Sequence, residues 1–368
     1  MKKAVLMILI GILVVSSFIL MSSCSKKEDV ITIGAILPLT GDGAQYGEED
    51  KNGFELALSE YEGSNQIKII YEDDKGTSSG GVNAFNKLYS VDKVPVIIGL
   101  MYSSVALSVA PLGDENKVVL FSTTASSPEL TNAGDYFFRN WPSDVFEGKE
   151  IAEFTFNKLN LRKGAIFTVN LDYGVGLKKV FKNVFESLGG EITKVEYYNQ
   201  GDSDFKTQLK KIQAVNPDFI YLPGYYNEIG QLLKQAKELG IKAQFISCVG
   251  FDNPKILEIA GNAAEGVIFA RPTYNPNSNE PIVNNFVNNY EKVYGQEPGV
   301  YAAHAYDALK ILTYAIDSGG YSSEGIKNAI YEIQDFPGVT GLTSFDENGD
   351  VIKPIQIMKV SNQEFMNF

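Results

Sequence analysis

Short runs of β-branched residues alternate along this chain with stretches of helical periodicity. This alternation constrains the fold more than any other feature. A run that is apolar at every position has no solvent face, so it must lie in a sheet covered on both sides by amphipathic helices. Residues 31–37 (ITIGAIL), 67–71, 94–99 and 118–122 form a first series. Residues 165–169, 192–197, 219–222, 243–247 and 267–270 form a second. Helical spacing lies between them. Phe54, Ala57, Leu58 and Tyr61 fall at i, i+3, i+4 and i+7. Leu177, Val180, Phe181, Val184, Phe185 and Leu188 make one apolar face, which Gly189-Gly190 ends. Helices are also expected over 205–215 and 229–239. The length, 368 residues, suits two domains. The expected class is therefore α/β, with two doubly wound parallel-sheet lobes. After Arg271 the pattern changes to a linker with Pro272, Pro276 and Pro281. Helices near 282–294, 301–318 and 323–334 follow. Residues 342–345 and 351–360 flank Asn348-Gly349, a dipeptide that predicts a hairpin.

The N-terminus reads as an address. Lys2 and Lys3 precede an uncharged stretch over 4–20, then Ser22-Ser23-Cys24 and a polar segment. This resembles a bacterial lipoprotein signal, which makes Cys24 the lipidated first residue of the mature chain. Residues 1–23 are then the signal and 24–30 a tether. An uncleaved membrane anchor is the other reading, because the apolar run approaches spanning length. Both place the remainder outside the cytoplasm and tether it to a membrane. With Cys24 lipidated, Cys248 is alone, so no internal disulfide is expected and Cys248 reads as a small buried apolar residue.

Composition excludes several function classes. The 45 acidic and 32 basic side chains give a net charge of −13. Loss of Lys2 and Lys3 with the signal leaves −15. No basic run of five exists, so neither a nucleic acid nor an anionic lipid surface is an expected partner. His304 is the only histidine, and Cys24 and Cys248 are the only cysteines. Clustered Cys/His metal sites are thereby excluded, and any Ser-His-Asp triad would have to use His304. The chain has no phosphate-binding P-loop motif. No cofactor and no metal is expected.

In open parallel sheets ligands bind beyond the carboxyl ends of the strands. The first series is followed there by Thr40–Gly47, by Tyr102-Ser103-Ser104 and by Ser122-Thr123-Thr124-Ala125-Ser126-Ser127. The second is followed by Asp172-Tyr173-Gly174, Gly224-Tyr225-Tyr226 and Gly250-Phe251-Asp252. Hydroxyls dominate one set and aromatics the other. Hydroxyls and backbone N–H groups at helix starts can hold an anion. Tyrosines opposite can cover an apolar group. A small organic acid between two closing lobes fits that division. Each piece alone also has a plain reading, as a helix N-cap or a turn. Asp42, Asp172 and Asp252 are open to a catalytic reading, but nothing fixes their separation. His304 lies in a helical segment and reads as packing, as does Trp141 beside Pro142.

These residues together resemble the type I periplasmic solute-binding proteins of the branched-chain amino acid class, the receptors of ABC importers. The landmarks run from Gly34-Ala35-Ile36-Leu37-Pro38-Leu39-Thr40-Gly41 through Ser122–Thr131, Phe138-Arg139, Asp172-Tyr173-Gly174 and Ala263-Ala264-Glu265-Gly266 to Tyr301–Ala308. The resemblance implies two lobes joined by three crossovers, with residues 31–143 plus 275–337 in one and 144–274 plus 338–368 in the other. It implies a non-enzymatic, monomeric receptor that hands a small amino acid or related carboxylate to a membrane ABC permease. A ligand-binding module for a membrane signalling partner is the alternative. Ser103 and the Ala125-Ser126 step would hold the ligand carboxylate, Ser104 is also expected in the ligand site, and Tyr46, Tyr173 and Tyr225 would line the pocket. One departure bears on the ligand. Val249 stands where the Leu/Ile/Val binders place an acid for the ligand ammonium. Either Asp252 or another acid replaces it, or the ligand is an amide, keto acid or aromatic acid without an α-ammonium.

Overall fold

The computed structural model describes residues 30–63 and 65–368. The signal segment and Cys24 lie outside the described residues. Strands β1 (Val30–Leu37), β2 (Gln66–Asp73), β3 (Val96–Gly99), β4 (Val119–Ser122) and β5 (Phe137–Arg139) form a parallel sheet in the order β2-β1-β3-β4-β5. Helices α1 (Ala44–Ser59), α2 (Ser78–Ser90) and α3 (Ser103–Asn116) connect the first four strands. Ile33, Ala35, Ile36, Val96, Ile97, Ile98, Val119, Leu120 and Phe121 are all fully buried. That is the covered central sheet the apolar runs demand.

The second sheet begins after α4 (Asp144–Asn157). It contains β6 (Lys163–Val169), β7 (Glu191–Tyr198), β8 (Phe219–Leu222), β9 (Gln244–Ser247) and β10 (Ile268–Pro272). Helices α5 (Asp172–Ser187), α6 (Lys206–Ala214), α7 (Tyr226–Glu238) and α8 (Lys255–Ala260) lie between them. Phe181 and Phe185, from the stripe predicted on α5, pack against Phe219 and Tyr221 of β8. The chain then returns to the first half. Helix α9 (Pro281–Tyr294) opens on Pro281, whose missing N–H costs nothing in the first helical turn. Helix α10 (Val300–Gly319) packs along α1, and α11 (Ser323–Tyr331) packs along α10. A small ribbon, β11 (Phe336–Gly338) with β12 (Gly341–Thr343), precedes the last crossing. Strands β13 (Ile355–Ser361) and β14 (Glu364–Asn367) complete the second sheet, in the order β14-β13-β10-β9-β8-β6-β7. The chain thus passes three times between two α/β halves.

The structure differs from the sequence expectation in two places. The second sheet is mixed, because β13 runs antiparallel to β10 and β14 antiparallel to β13. The hairpin expected around Asn348-Gly349 shrinks to one bridge between Phe345 and Val351. Residues 355–361 pair elsewhere instead, and the true hairpin turn is Asn362-Gln363, with φ of 55° and 63°. Two consecutive left-handed residues match the twist of a two-residue hairpin loop. Asn348-Gly349 serves another purpose. Gly349 has a φ of 74°, and a Cβ there would lie 2.4 Å from the Phe137 carbonyl. The Gly349 carbonyl accepts the Arg139 N–H at 3.1 Å. Asp350 then receives Arg139 in a bidentate pair, Nε to Oδ1 at 2.6 Å and Nη2 to Oδ2 at 2.7 Å. This buried pair ties the third crossover to β5, the short strand that apolar patterning did not reveal.

Candidate functional site

The carboxyl ends of both sheets face a small shared cavity of about 40 Å³. Met101, Tyr102, Ser103, Thr124, Ser126 and Trp141 line it from the first half and its exit. Tyr173, Tyr225, Val249 and Gly250 line it from the second. Tyr46 on α1 and Tyr301 on α10 complete the wall.

The first-half wall is built around Ser103. Gly99 and Leu100, both at positive φ, turn the chain sharply out of β3. Helix α3 therefore starts at Ser103, with its first N–H groups at the cavity. The Ser103 Oγ accepts the backbone N–H of Ser126 at 3.3 Å and of Ser127 at 3.1 Å. A hydroxyl has two acceptor lone pairs and one proton. Both lone pairs being engaged, the proton is left to donate to a ligand. A donating hydroxyl beside a helix N-terminus suits an anionic oxygen. The neighbouring hydroxyls are tied inward: Thr124 donates to the Met101 carbonyl at 3.0 Å, and Ser122 donates to that of Leu100 at 3.1 Å.

The rest of the wall is aromatic, with rings from both halves. Tyr173 and Tyr225 stack with centroids 5.4 Å apart, and Tyr225 meets the Tyr102 edge at 4.8 Å. Tyr46 packs at 4.9 Å from Tyr301, which stacks on Trp141 at 5.6 Å. Three of the ring hydroxyls bond to backbone. Tyr46 donates to the Gly250 carbonyl at 2.8 Å, and Tyr301 donates to that of Val249 at 2.9 Å. The Tyr173 oxygen accepts the Gly250 N–H at 3.3 Å. Position 250 cannot carry a side chain, because a Cβ would lie 2.0 Å from the Gly224 carbonyl. The Tyr46 and Tyr301 bonds cross from the first half to the second, so the two halves meet around the cavity.

Two acids lie behind this wall at the start of α4, both buried. The Asp144 N–H donates to the Ser126 carbonyl at 2.8 Å, and neither Asp144 carboxylate oxygen has a hydrogen-bond partner. Burial pushes its carboxyl up to about 7, opposed by the nearby Ser126 hydroxyl and Arg139 guanidinium. Glu147 Oε1 accepts the Val249 N–H at 3.0 Å. Burial, and then the Asp144 charge, push the Glu147 carboxyl well above the ordinary range, against the Val249 N–H.

Of the residues singled out from sequence, Tyr46, Ser103, Ser126, Tyr173 and Tyr225 all line the cavity. Three do not. Ser104 presents its carbonyl to the Ser78 hydroxyl at 2.9 Å, and the Ala125 N–H is taken by Ser122 Oγ at 3.0 Å. Asp252 points away, into an ion pair with Arg271 at 2.7 Å, in a separate cleft that it shares with Glu49 and Lys255. It therefore does not stand in for the acid missing at Val249. His304 is fully buried behind Trp141, with ring centroids 4.4 Å apart, and its Nδ1 lies 2.9 Å from the Val300 carbonyl. Burial pushes it down to about 3, so the ring is neutral packing. Cys248 is buried at the end of β9, as expected. The sequence reading missed Tyr301, Trp141, Met101 and Glu147 as parts of the site. Tyr301 and Glu147 lie on helices, which a reading confined to strand ends passes over. Among the described residues no group of three or more His, Cys, Asp or Glu is placed to hold a metal, and no helix is long and apolar enough to cross a membrane.

Comparison with known proteins gives a consistent result. The periplasmic binding protein family profile matches residues 30–364. The leucine-, isoleucine-, valine-, threonine- and alanine-binding protein of Pseudomonas aeruginosa is 29% identical over 341 residues, covering 90% of this chain and 89% of that protein. The crystal structure of the leucine-binding protein LivK of Thermotoga maritima superposes with a TM-score of 0.88 at 32% identity, covering 92% of this chain and 97% of that one. The branched-chain amino acid transporter substrate-binding protein LivJ of Streptococcus pneumoniae, solved with isoleucine, gives 0.85 at 29% identity, covering 92% and 98%.

Proposed function

Because this chain belongs to the periplasmic binding protein family, we propose that it is the extracytoplasmic solute-binding receptor of an ABC importer, taking a small amino acid or related carboxylate between its two lobes. It binds and releases its ligand without transforming it. The observation that carries this reading is the pairing of the Ser103 hydroxyl, its proton left over for a ligand, with an aromatic wall across the cavity. The donor side suits a carboxylate, and the tyrosines and Trp141 suit a compact apolar group. Relatives named for leucine, isoleucine and valine support that division.

The lobes are residues 31–143 plus 275–337 and 144–274 plus 338–368. A ligand touching both favours the closed arrangement, and the permease recognises that closed face. The Tyr46 and Tyr301 bonds to the Gly250 and Val249 carbonyls hold the lobes together in that state. Cys24 is the lipid anchor, so a monomeric receptor stays close to its permease at the outer membrane surface of the cell or in the periplasm.

Calorimetric titration of the full chain in detergent, after any carried ligand is stripped by partial unfolding, tests this reading. The panel is leucine, isoleucine, valine, phenylalanine, their 2-oxo acids, benzoate and small amides. Micromolar binding of an amino acid or carboxylate, about −8 kcal/mol, is expected. Silence of every carboxylate in the panel would sink it.

A further inference from the structure

A second cleft, of about 590 Å³, opens between the two halves beside the crossing at residues 274–277. Its size is that of a small-ligand pocket. It shares no lining residue with the cavity around Ser103. Glu49, Asp252, Glu258 and Glu297 bring carboxyls to it, and Lys255 and Arg271 bring the opposing charges. Arg271 is committed. Its Nη1 holds Asp252 at 2.7 Å, and its Nη2 donates to the Tyr274 carbonyl at 3.4 Å. The remaining three acids then outnumber the one ammonium, that of Lys255.

Glu258 and Glu297 are exposed, and water alone would satisfy them. Three buried groups at the cleft are different. Glu49 is only 8% exposed. Its Oε1 meets the Asn253 amide at the long distance of 3.5 Å. Its Oε2 has no hydrogen-bond partner among the described residues and lies against Gly299, where a Cβ would come within 2.7 Å of it. Asn253 and Gly299 both line the cleft, so the carboxyl head sits at it. Tyr274 and Tyr290, 3% and 1% exposed, line the same cleft, and neither hydroxyl has a hydrogen-bond partner. The Tyr290 hydroxyl lies near Asn52 and Gln296, in bonding geometry with neither, and within reach of the Glu49 charge. The Tyr274 hydroxyl is within reach of Glu297 and Tyr290. Buried oxygens left so are costly. Carboxylate and phenol oxygens all accept hydrogen bonds, so one occupant rich in N–H donors would satisfy the three together.

We propose that this cleft binds a small organic cation, a primary amine or guanidine on an aliphatic body, with Glu49 as its charge partner and the Tyr274 and Tyr290 hydroxyls as its hydrogen-bond acceptors. A bare metal ion does not fit. The space is far larger than an ion, and among the described residues no group of three or more His, Cys, Asp or Glu is placed to hold one. Met358 and Phe365 give the aliphatic body an apolar surface. Glu49 and Tyr290 come from the first half and Glu258 from the second, so an occupant bridges the two. It also replaces a proton. Burial, and then the Asp252 charge, push the Glu49 carboxyl up to about 8. The other groups facing it are Asp50, Glu48, Lys255, which opposes the rise, and the hydroxyls of Tyr226, Tyr290 and Tyr301. Below about 8 an arriving cation sends that proton to solvent, so its binding tightens as pH rises toward 8.

The test is calorimetric titration of the full chain in detergent with putrescine, and with 1,4-butanediol as its uncharged analogue of equal length. Putrescine is expected to bind saturably at pH 8, with a Kd of about 1 mM or tighter. At pH 6.5 it is expected to bind about tenfold more weakly, because Glu49 then holds its proton. The diol is expected not to bind. Glu49→Gln is expected to weaken putrescine about tenfold or more and to remove its pH dependence. Tyr290→Phe keeps the ring, deletes the acceptor and is expected to weaken it about threefold. The wild-type measurements need no variant, so a misfolded variant does not rescue the idea. No putrescine binding up to about 10 mM overturns the inference. So does equal binding of the diol, an affinity that ignores pH, or a Glu49→Gln chain that binds like wild type. None of these results touches the receptor reading, whose carboxylate panel addresses the other cavity.

Discussion

The two walls of the cavity hold a ligand by different means. One wall, around Ser103 in the first lobe, is made of short side chains and backbone. Ser103, Thr124 and Ser126 carry no flexible arms, and their hydrogen bonds are largely to main chain. The aromatic wall, formed by Tyr173 and Tyr225 of the second lobe with Tyr46, Tyr102, Trp141 and Tyr301 of the first, is made of large rings, three of whose hydroxyls are tied to the Gly250 and Val249 backbone. Donors fixed to a helix start impose one geometry and suit a group common to many ligands. A surface of rings imposes shape and suits the part of a ligand that varies. The first wall is therefore expected to recognise a carboxylate of any small acid, and the second to choose among side chains.

Substitutions on each wall can break this contrast. Tyr225→Ala removes a ring packed on Tyr46, Tyr102 and Tyr173. Truncation of such an aromatic anchor costs about 2–4 kcal/mol of binding. The loss measured by calorimetry should be unequal among leucine, isoleucine, valine and phenylalanine. Equal losses would place shape selection elsewhere. Ser103→Ala removes one hydrogen bond to a charged group, about 1.5–3 kcal/mol, and also leaves the Ser126 and Ser127 N–H groups without its Oγ. Here the loss should be the same for every carboxylate bound, amino or oxo acid, and a ligand-dependent loss would contradict the division.

The acids of the two lobes also predict a pH dependence of stability. Burial raises Asp144 to about 7, Asp74 to about 7 and Glu49 to about 8. The folded chain therefore keeps protons that the unfolded chain has already released. The stability these groups contribute is complete below their ordinary pKa and lost as pH rises through the folded values. His304 acts in the opposite sense, but only below its ordinary 6.5. Between pH 6.5 and 8 the carboxyls prevail, and the thermal midpoint of the ligand-free protein should fall as pH rises. Asp144→Asn has no proton to lose and should flatten that fall, whereas an unchanged slope would assign it to the other buried carboxyls, Asp74 and Glu49 among them. The smallest effect is expected from Tyr46→Phe, which deletes one short interlobe hydrogen bond, to the Gly250 carbonyl, and a long one from the Tyr226 N–H, and keeps the ring. The short bond is worth about 0.5–1.5 kcal/mol, roughly two- to thirteenfold in affinity, and that loss should be the same for all ligands.

How much of this was legible in the sequence follows from the range of the interactions involved. The central strands were, because a strand buried on both faces must be apolar at every position. Strand β5 was not. It is three residues long, and one of them is Arg139, buried only because Asp350 reaches it from 211 positions away. Ser103, Ser126, Tyr173 and Tyr225 were legible because topology alone sends strand ends to the ligand. Asp252 was misplaced because proximity in sequence to Val249 stood in for proximity in space. Glu147 was not singled out, because its contact with Val249 spans 102 positions. The Asn348-Gly349 turn was read as a hairpin because dipeptide chemistry reports a bend and not which strands it joins.

The chain has a single tryptophan, Trp141. It lies in the cavity wall, stacked on Tyr301, beside a histidine that burial keeps neutral. All indole emission from the protein therefore originates within contact distance of whatever occupies the site. Excitation near 295 nm, chosen to avoid the tyrosines, turns the unlabelled receptor into its own optical sensor. Occupancy could then be followed in real time, in crude membranes as well as in a cuvette.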